Sequence, residues 1–163
     1  MPLDNRDSAR KGTAVEHLVA ATCILASGFE LNVSTSLIDD EGVDLVFHRR
    51  EHSRTLAVQV KSRSTDGSQL RRRGRFVATV RRSTFRPRAD LHMLFVVVDT
   101  AQGLFDPVWL VPSDELARRA RVDSRDRYRF IASIKPSTRD QWRPYRHSRA
   151  ELPSRILEIL ASL

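Results

Sequence analysis

Two short apolar segments, separated by a polar break, restrict the fold of this chain more than any other feature of its sequence. They span residues 42–47 and 56–61. Polar residues are set into both segments at every second position, which is typical of β-strands. The polar residues 48–53 between the segments predict a hairpin loop. We therefore expect two strands that pair side by side in antiparallel orientation.

This pairing would bring three polar side chains together. Side chains alternate between the two faces of a strand, so Gln59 and Lys61 point to one face and Val60 points to the other. The antiparallel partner strand carries Asp44, which would lie near both polar residues. A carboxylate, an amide and an ammonium group would then meet on a face that should otherwise be apolar.

The composition limits the classes of protein to consider. A chain of 163 residues with 40% hydrophobic residues is long and apolar enough for one folded domain with a core. A single cysteine, Cys23, excludes an internal disulfide framework and a cysteine-rich zinc site, and it suits the reducing cytoplasm. The first residues lack an apolar signal core, and the longest apolar run, residues 93–98, is too short to span a bilayer. We expect a cytoplasmic protein without a membrane partner.

The charge of the chain points to an acidic polymer as a partner. The formal net charge is +8, and nucleic acid is the commonest such polymer. An arginine-rich composition can equally reflect a GC-rich genome, so the charge alone leaves both interpretations open. Only three basic residues are lysines, namely Lys11, Lys61 and Lys135. A chain that otherwise uses arginine has a lysine inside the strand pattern, which indicates a need for an ammonium group at position 61.

Helices are predicted at both ends of the chain. Apolar residues at helical spacing predict a helix over about residues 11–27 that ends at Gly28, while residues 1–10 are expected to be flexible. Pro153 suits the first turn of a C-terminal helix. Four of its residues are expected to form an apolar stripe on the core: Ile156, Leu157, Leu160 and Leu163.

Further strands and one short helix are predicted between them. The strands are expected over residues 29–34, 75–81, 91–98, 107–111 and 128–134. Ser113 is placed to cap a short helix over residues 114–120. A helix followed by a strand meander and further helices and strands predicts a single α/β or α+β domain with a mixed sheet, over residues 11–163.

Other acidic residues lie near the two strands. Glu16 lies on the flank of the buried stripe of the first helix, where a carboxylate is costly unless it has a partner. A surface glutamate with its stem along the stripe is the alternative. Asp39, Asp40 and Glu41 could bind a metal ion, although three acidic residues before a glycine are more often a solvated loop.

Arginines follow the second strand closely. Between residues 63 and 88 there are nine arginines and one acidic residue, Asp66. A phosphate backbone held by this run would pass the polar cluster. The arginines predicted to bind nucleic acid are Arg63, Arg71, Arg72, Arg73, Arg75, Arg81 and Arg82. A solvated loop is the alternative for many of them.

Glu16 on a first helix, Asp44 on a second strand and Gln59-Val60-Lys61 on a third strand resemble the PD-(D/E)xK nuclease superfamily. The pattern is most similar to small bacterial branches with a Gln-x-Lys version of the motif and to Holliday-junction-resolvase-like members. The resemblance covers about residues 11–111. It implies a restriction-endonuclease-like αβββαβ core, with a mixed central sheet flanked by helices and a C-terminal strand and helices over residues 112–163.

The resemblance also implies an activity, namely metal-dependent hydrolysis of DNA phosphodiester bonds with Mg²⁺ or Mn²⁺. Asp44 would be the central metal ligand, with Glu16 and Gln59 as further ligands. Lys61 would orient the attacking water and stabilise charge on the phosphate. Many such nucleases are dimers, so a homodimer is a further expectation.

Gln59 departs from the family pattern, which usually has Asp or Glu at this position. An amide oxygen can bind Mg²⁺ but brings no charge. Three functions therefore stay open at this point: an endonuclease, a non-catalytic nucleic-acid-binding module on the same fold, and an interaction domain whose charge is inherited from the genome.

Overall fold

A computed structural model of the chain describes residues 5–36 and 42–163. Four helices are present in these ranges: α1 Asn5–Ala26, α2 Ser68–Arg73, α3 Ser113–Arg119 and α4 Leu152–Ser162. The strands of the first half are β1 Leu31–Thr35, β2 Leu45–Arg49, β3 Thr55–Ser64 and β4 Arg75–Arg81. Those of the second half are β5 Leu91–Asp99, β6 Leu104–Pro112, β7 Arg121–Val122, β8 Arg127–Ser133 and β9 Arg146–His147.

Six strands form a mixed central sheet. Their order is β1-β2-β3-β5-β6-β9, in which β3 and β5 are parallel and the other neighbours are antiparallel. The expected hairpin is present, since Leu45 pairs with Val58 and Phe47 pairs with Leu56. The predicted mixed α/β fold with a mixed central sheet flanked by helices is therefore confirmed.

The two faces of the central sheet cover different cores. Helices α1 and α4 pack on one face, where Val19, Val58 and Ile156 belong to one buried cluster. The other face is covered by a separate antiparallel sheet of order β4-β8-β7. Aromatic rings fill the space between the two sheets, and the rings of Phe95 and Phe130 stack with centroids 3.7 Å apart. Strand β5 is buried on both faces, as its unbroken apolar run predicts.

Helix α1 differs from the prediction at its start. It begins at Asn5, six residues before the predicted start at about residue 11. The predicted end is confirmed, because the helix closes at Ala26 and Gly28 has a left-handed backbone with φ of 61°. No helix within residues 5–36 and 42–163 is long and apolar enough to cross a membrane.

Two other details of the helices were predicted incorrectly. Ser113 is the first residue of α3 and not its cap, because its hydroxyl donates to the Arg88 carbonyl and accepts the Arg88 N–H at 2.9 Å each. In α4, Pro153 lies in the first turn as expected, but Leu163 is 37% exposed where the helix ends. Ile159 is buried in place of Leu163.

Candidate active site

The central sheet opens between β2 and β3. Strand β3 pairs with β2 only as far as Val58, whereas it pairs with β5 as far as Ser64. Residues 59–64 therefore have a strand neighbour on the β5 side and none from the described residues on the other. The chain enters this region through Gly42, which has a left-handed backbone with φ of 71°. We refer to the space between Asp44 and residues 59–64 of β3 as the opening.

The Asp44 carboxylate lies at the start of the opening. The Asp44 N–H donates to the Val58 carbonyl at 3.0 Å, which is the last backbone contact before the strands separate. The Val60 N–H then donates to Asp44 Oδ2 at 2.6 Å. A side-chain oxygen thus replaces a backbone carbonyl as the acceptor for β3, and the charge of the carboxylate strengthens the bond. Along β3, the carboxylate lies between Gln59 and Lys61, as the hairpin predicts.

Gln59 is half-buried and packs against Gly42. A Cβ atom added to Gly42 would lie 2.6 Å from the Gln59 Nε2 atom and 3.1 Å from Cδ. A larger residue here would displace the Gln59 amide from its position, and the left-handed backbone of Gly42 independently favours glycine. The sequence pattern predicts Gly42 only as the start of a strand. Its contact is with a residue seventeen positions later, and a glycine directly before a motif strand was the one signal for it.

Lys61 is half-buried on the side of the sheet that faces the second core. It shares this side with Ala57, which is buried in the second core, and it pairs with Phe95 of β5. Its ammonium group makes no hydrogen bond or ion pair with the residues that the structure describes. Lys61 is therefore a cation without a structural partner in these ranges, held beside the Asp44 carboxylate by the strand.

Glu16 lies on α1, which packs on the other side of the sheet from Gln59 and Lys61. It is half-buried between the buried Val15 and Val19 of α1. The Lys11 ammonium group contacts the Ser64 hydroxyl, so α1 crosses β3 near its end. A side chain from this face can approach Asp44 only through the opening.

The available metal ligands are oxygen atoms. Within residues 5–36 and 42–163, no three His, Cys, Asp or Glu side chains cluster as a metal site. The opening instead combines the Asp44 carboxylate with the Gln59 amide. Mg²⁺ in proteins is commonly held by one or two carboxylates together with water and substrate phosphates, so this donor set fits such an ion. Asp39, Asp40 and Glu41 lie outside the described residues.

The predicted nucleic-acid-binding arginines have different surroundings. Arg71, Arg72 and Arg73 are exposed in the last turn of α2. Arg75 and Arg81 are exposed at the two ends of β4. Neither these two residues nor the three in α2 form an ion pair with a described residue.

The other two arginines are engaged in structural contacts. Arg82 forms an ion pair with Asp126 at 2.8 Å. The Arg63 guanidinium group donates to the Val77 carbonyl at 2.9 Å and lies 6.0 Å from the centroid of the Phe76 ring. Arg63 therefore joins the end of β3 to β4, and its donors are partly used by the fold.

Two histidines are shielded from water without belonging to the opening. His92 of β5 is 5% exposed, and its Nδ1 atom has no hydrogen-bond partner. Burial lowers the pKa of His92 to about 4, although the nearby Asp114 acts in the opposite direction. Burial also lowers the pKa of His147. His92 stays neutral at pH 7 and lies across from Val58, in the closed part of the sheet.

Comparison with known proteins gives a match in structure alone. No known protein family matches the sequence, and no curated protein matches it either. Among solved structures, the fold is similar to that of a bacterial homing endonuclease, I-Ssp6803I, with a TM-score of 0.51 and 20% sequence identity. The similarity covers 88% of this chain and 91% of that protein. The chain therefore has a nuclease-like fold.

Proposed function

We propose that this protein is a metal-dependent endonuclease that hydrolyses phosphodiester bonds of DNA. The observation that supports this most directly is the opening between β2 and β3. At this point the Asp44 carboxylate accepts the Val60 N–H, and Gln59 and Lys61 flank Val60 on β3. The nuclease-like fold agrees with this proposal at the level of architecture.

Each residue of the opening has a role that follows from its chemistry. Asp44 is the central metal ligand, and the Val60 N–H fixes the orientation of its carboxylate. Gln59 and Glu16 offer further oxygen atoms. Mg²⁺ or Mn²⁺, when bound, supplies Lewis acidity and a nucleophilic water. The Lys61 ammonium group, which has no partner among the described residues, orients that water and stabilises the charge that grows on the phosphate.

The charge of the site sets its dependence on substrate. With Glu16 and Asp44 ionised and Gln59 neutral, the opening has two negative charges, and Lys61 offsets one of them. A divalent ion gains less Coulomb energy here than at a site of three carboxylates. We expect appreciable metal binding only when a DNA phosphate supplies a further anionic ligand, with Mn²⁺ supporting activity better than Mg²⁺.

Several finer assignments belong to the same proposal. The positions of Asp44, directly before β2, and of Gln59 and Lys61 on β3 support membership of the PD-(D/E)xK nuclease superfamily, in a branch with a Gln-x-Lys motif. We further propose a single nuclease-like domain over residues 11–163, a cytoplasmic location and action as a homodimer. The arginines of α2 and β4 would hold the DNA backbone.

A cleavage assay tests the function directly. Supercoiled, linear and branched DNA would be incubated with the protein and either Mg²⁺ or Mn²⁺, with EDTA as the blank. Wild-type protein is expected to cut at least one substrate, and Lys61→Ala is expected to remove the activity. Arg50→Ala, which changes an exposed cation of the β2–β3 loop, is the matched control. Equal cleavage by wild type and Lys61→Ala would contradict the proposal.

A non-catalytic nucleic-acid-binding module is the second candidate. Two observations favour it: Gln59 is neutral, and one oxygen of Asp44 already accepts the Val60 N–H. Calorimetric titration of Mn²⁺ in the presence of a short duplex separates the candidates. An endonuclease should bind the metal in a way that Asp44→Ala abolishes, whereas a binding module should bind DNA equally well with and without the metal.

A further inference from the structure

The sheet formed by β4, β8 and β7 has one face that points away from the central sheet and is bordered by residues 138–142. Its inner face carries the buried Phe76, Ala78, Phe130 and Ala132. Because side chains alternate along a strand, the residues between them form an opposite face, which we call the outer face. On β4 and β8 these residues are exposed or half-buried.

Arginines dominate the outer face. Arg75 and Arg81 lie at its two ends on β4, and the paired strands add Arg129 on β8 and Arg121 on β7. All four side chains are exposed. None of the four forms an ion pair or a hydrogen bond with the residues that the structure describes. Arg121 and Arg129 lie outside the arginine run that follows Lys61 in the sequence.

Two arginines of the outer face, Arg121 and Arg129, are cross-strand neighbours. They lie directly opposite each other in the β7–β8 ladder. Like charges in this position repel and destabilise a sheet. On the same face, Arg127 lies opposite Arg81, but its charge is balanced by Asp123 at 2.7 Å. Asp123 also lines a groove with Arg121 and Arg129, but its carboxylate pairs with Arg127, so the directly opposed pair has no ion pair with a described residue.

We propose that the outer face binds the phosphate backbone of duplex DNA, with Arg121 and Arg129 as contacts in addition to Arg75 and Arg81. Arg81 lies six residues after Arg75 along β4, so the face is about 20 Å long. This length corresponds to about six base pairs of duplex at 3.4 Å per step. Anionic oxygens between Arg121 and Arg129 would convert their repulsion into two attractive contacts.

The outer face is connected to the opening through β4. Arg63, two residues after Lys61, donates to the Val77 carbonyl of β4. At the start of β4, three cations and one acidic residue line one groove, namely Arg73, Arg75, Lys135 and Asp140. A duplex on the outer face would thus follow a basic path from β7 to the edge of the candidate site. This inference rests on the proposed function only for the choice of DNA as the partner.

The test measures how the affinity for a short DNA duplex depends on salt, in EDTA so that no cleavage occurs. The double variant Arg121→Gln/Arg129→Gln should lower the slope of log K against log salt by about two units at most, because each phosphate contact contributes about 0.9. Arg50→Gln/Arg155→Gln removes the same net charge outside the outer face and should leave the slope nearly unchanged. Arg121→Lys/Arg129→Lys should retain most of the wild-type slope.

The outcomes separate this inference from the proposed function. Equal slopes for the outer-face variant and its control would overturn the inference, as would a change seen with duplex RNA but not with DNA. A reduced slope in a protein that never cuts DNA with Mn²⁺ would support the outer face and contradict the endonuclease. If wild type cuts DNA but substitution of Arg121 and Arg129 leaves the slope unchanged, the endonuclease is supported and the outer face is contradicted. Circular dichroism confirms that each variant is folded.

Discussion

The two halves of β3 lie in different surroundings. Val58 pairs with β2 on one side and β5 on the other, Leu56 pairs with β2, and both side chains are fully buried. Gln59 and Lys61 pair with β5 alone and are half-buried. One half is thus fixed by packing, while the other keeps polar groups that the fold does not use fully. Substitutions in the first half should therefore act on stability, and those in the second half on chemistry.

We call residues 55–58 of β3 the closed half, because β2 pairs with them, and residues 59–64 the open half. The largest expected effect is a loss of stability from a substitution in the closed half. Leu56→Ala removes a fully buried side chain from the core beneath α1 and α4. We expect a loss of about 2–5 kcal/mol in the free energy of unfolding, measured with denaturant. DNA affinity of the variant at low temperature should remain close to that of wild type. A variant that keeps its stability but loses DNA binding would contradict the assignment of Leu56 to a purely structural role.

Lys61→Ala tests the open half. We expect the cleavage rate to fall by about 10²–10³-fold, because a cation aimed at developing charge is lost. The free energy of unfolding should change by no more than about 0.5 kcal/mol, since the ammonium group makes no bond within the described residues. Single-turnover kinetics and denaturant unfolding on the same preparation give both quantities. A large loss of stability would show that Lys61 is part of the packing.

His92, which pairs with Val58 of the closed half, makes the free energy of unfolding depend on pH. Its pKa is lowered to about 4 by burial, opposed by Asp114 and assisted by Arg155, whereas in the unfolded chain it is about 6.5. The unfolded chain therefore binds more protons between these values, so this contribution is complete above about pH 6.5 and is lost as the pH falls towards 4. The loss is about 3 kcal/mol at most.

The measurement for His92 compares unfolding curves of wild type and His92→Leu between pH 4 and 7. The carboxylates contribute to both proteins and cancel in the difference. The difference should shift in favour of the variant as the pH falls. Parallel pH profiles would show that His92 is hydrated in the folded protein.

Gly42→Ala changes a residue that contacts Gln59, at the point where the pairing of β2 with β3 ends. The left-handed backbone should cost about 1–2 kcal/mol in the free energy of unfolding. Gly103→Ala is a matched control, because Gly103 has φ of 65° but nothing within 4 Å of the added Cβ. Both variants should lose similar backbone energy, but only Gly42→Ala displaces the Gln59 amide and should lower activity. Equal activity in the two variants would show that the position of Gln59 is unimportant.

The smallest effect is expected for Gln59→Glu, which makes the opening more like the usual family site. A third carboxylate should tighten Mn²⁺ binding to the free protein by several-fold, since each added charge near the ion increases its Coulomb attraction. Titration calorimetry of the variant and wild type without DNA measures the change, with Asp44→Ala as the blank. No gain in affinity would place the metal away from Gln59.

Local patterns in the sequence predicted most of the strands and the hairpin at the centre of the site. The alternation of Phe76, Ala78 and Val80 correctly indicates a strand, but it does not reveal that β4 leaves the central sheet for a second one. This choice depends on pairing with β8, about fifty residues later. The start of α1 was missed because its first residues are polar, and tertiary packing of the later turns stabilises the whole helix.

Contacts between residues that are far apart in the sequence also limit how much of the site can be predicted. Asp44, Gln59 and Lys61 follow from a hairpin whose strands are close in sequence. The Gln59 contact with Gly42 depends on how the chain enters β2, and the Ser113 hydroxyl is occupied by Arg88, twenty-five positions earlier. Arg81 and Arg82 are neighbours in the sequence, yet only Arg82 has an acidic partner, because Asp126 lies beside it in space.

The scarcity of lysine makes the chain suitable for chemical footprinting. Lys61 and Lys11 lie at the open end of β3, since Lys11 contacts Ser64, and Lys135 lines the groove with Arg73 and Arg75. Burial lowers the pKa of Lys11, which increases its unprotonated, reactive fraction. An amine-acylating reagent, read by mass spectrometry, therefore reports on the candidate site and the basic groove through three side chains. Protection of each by DNA would trace the path of the duplex without any substitution.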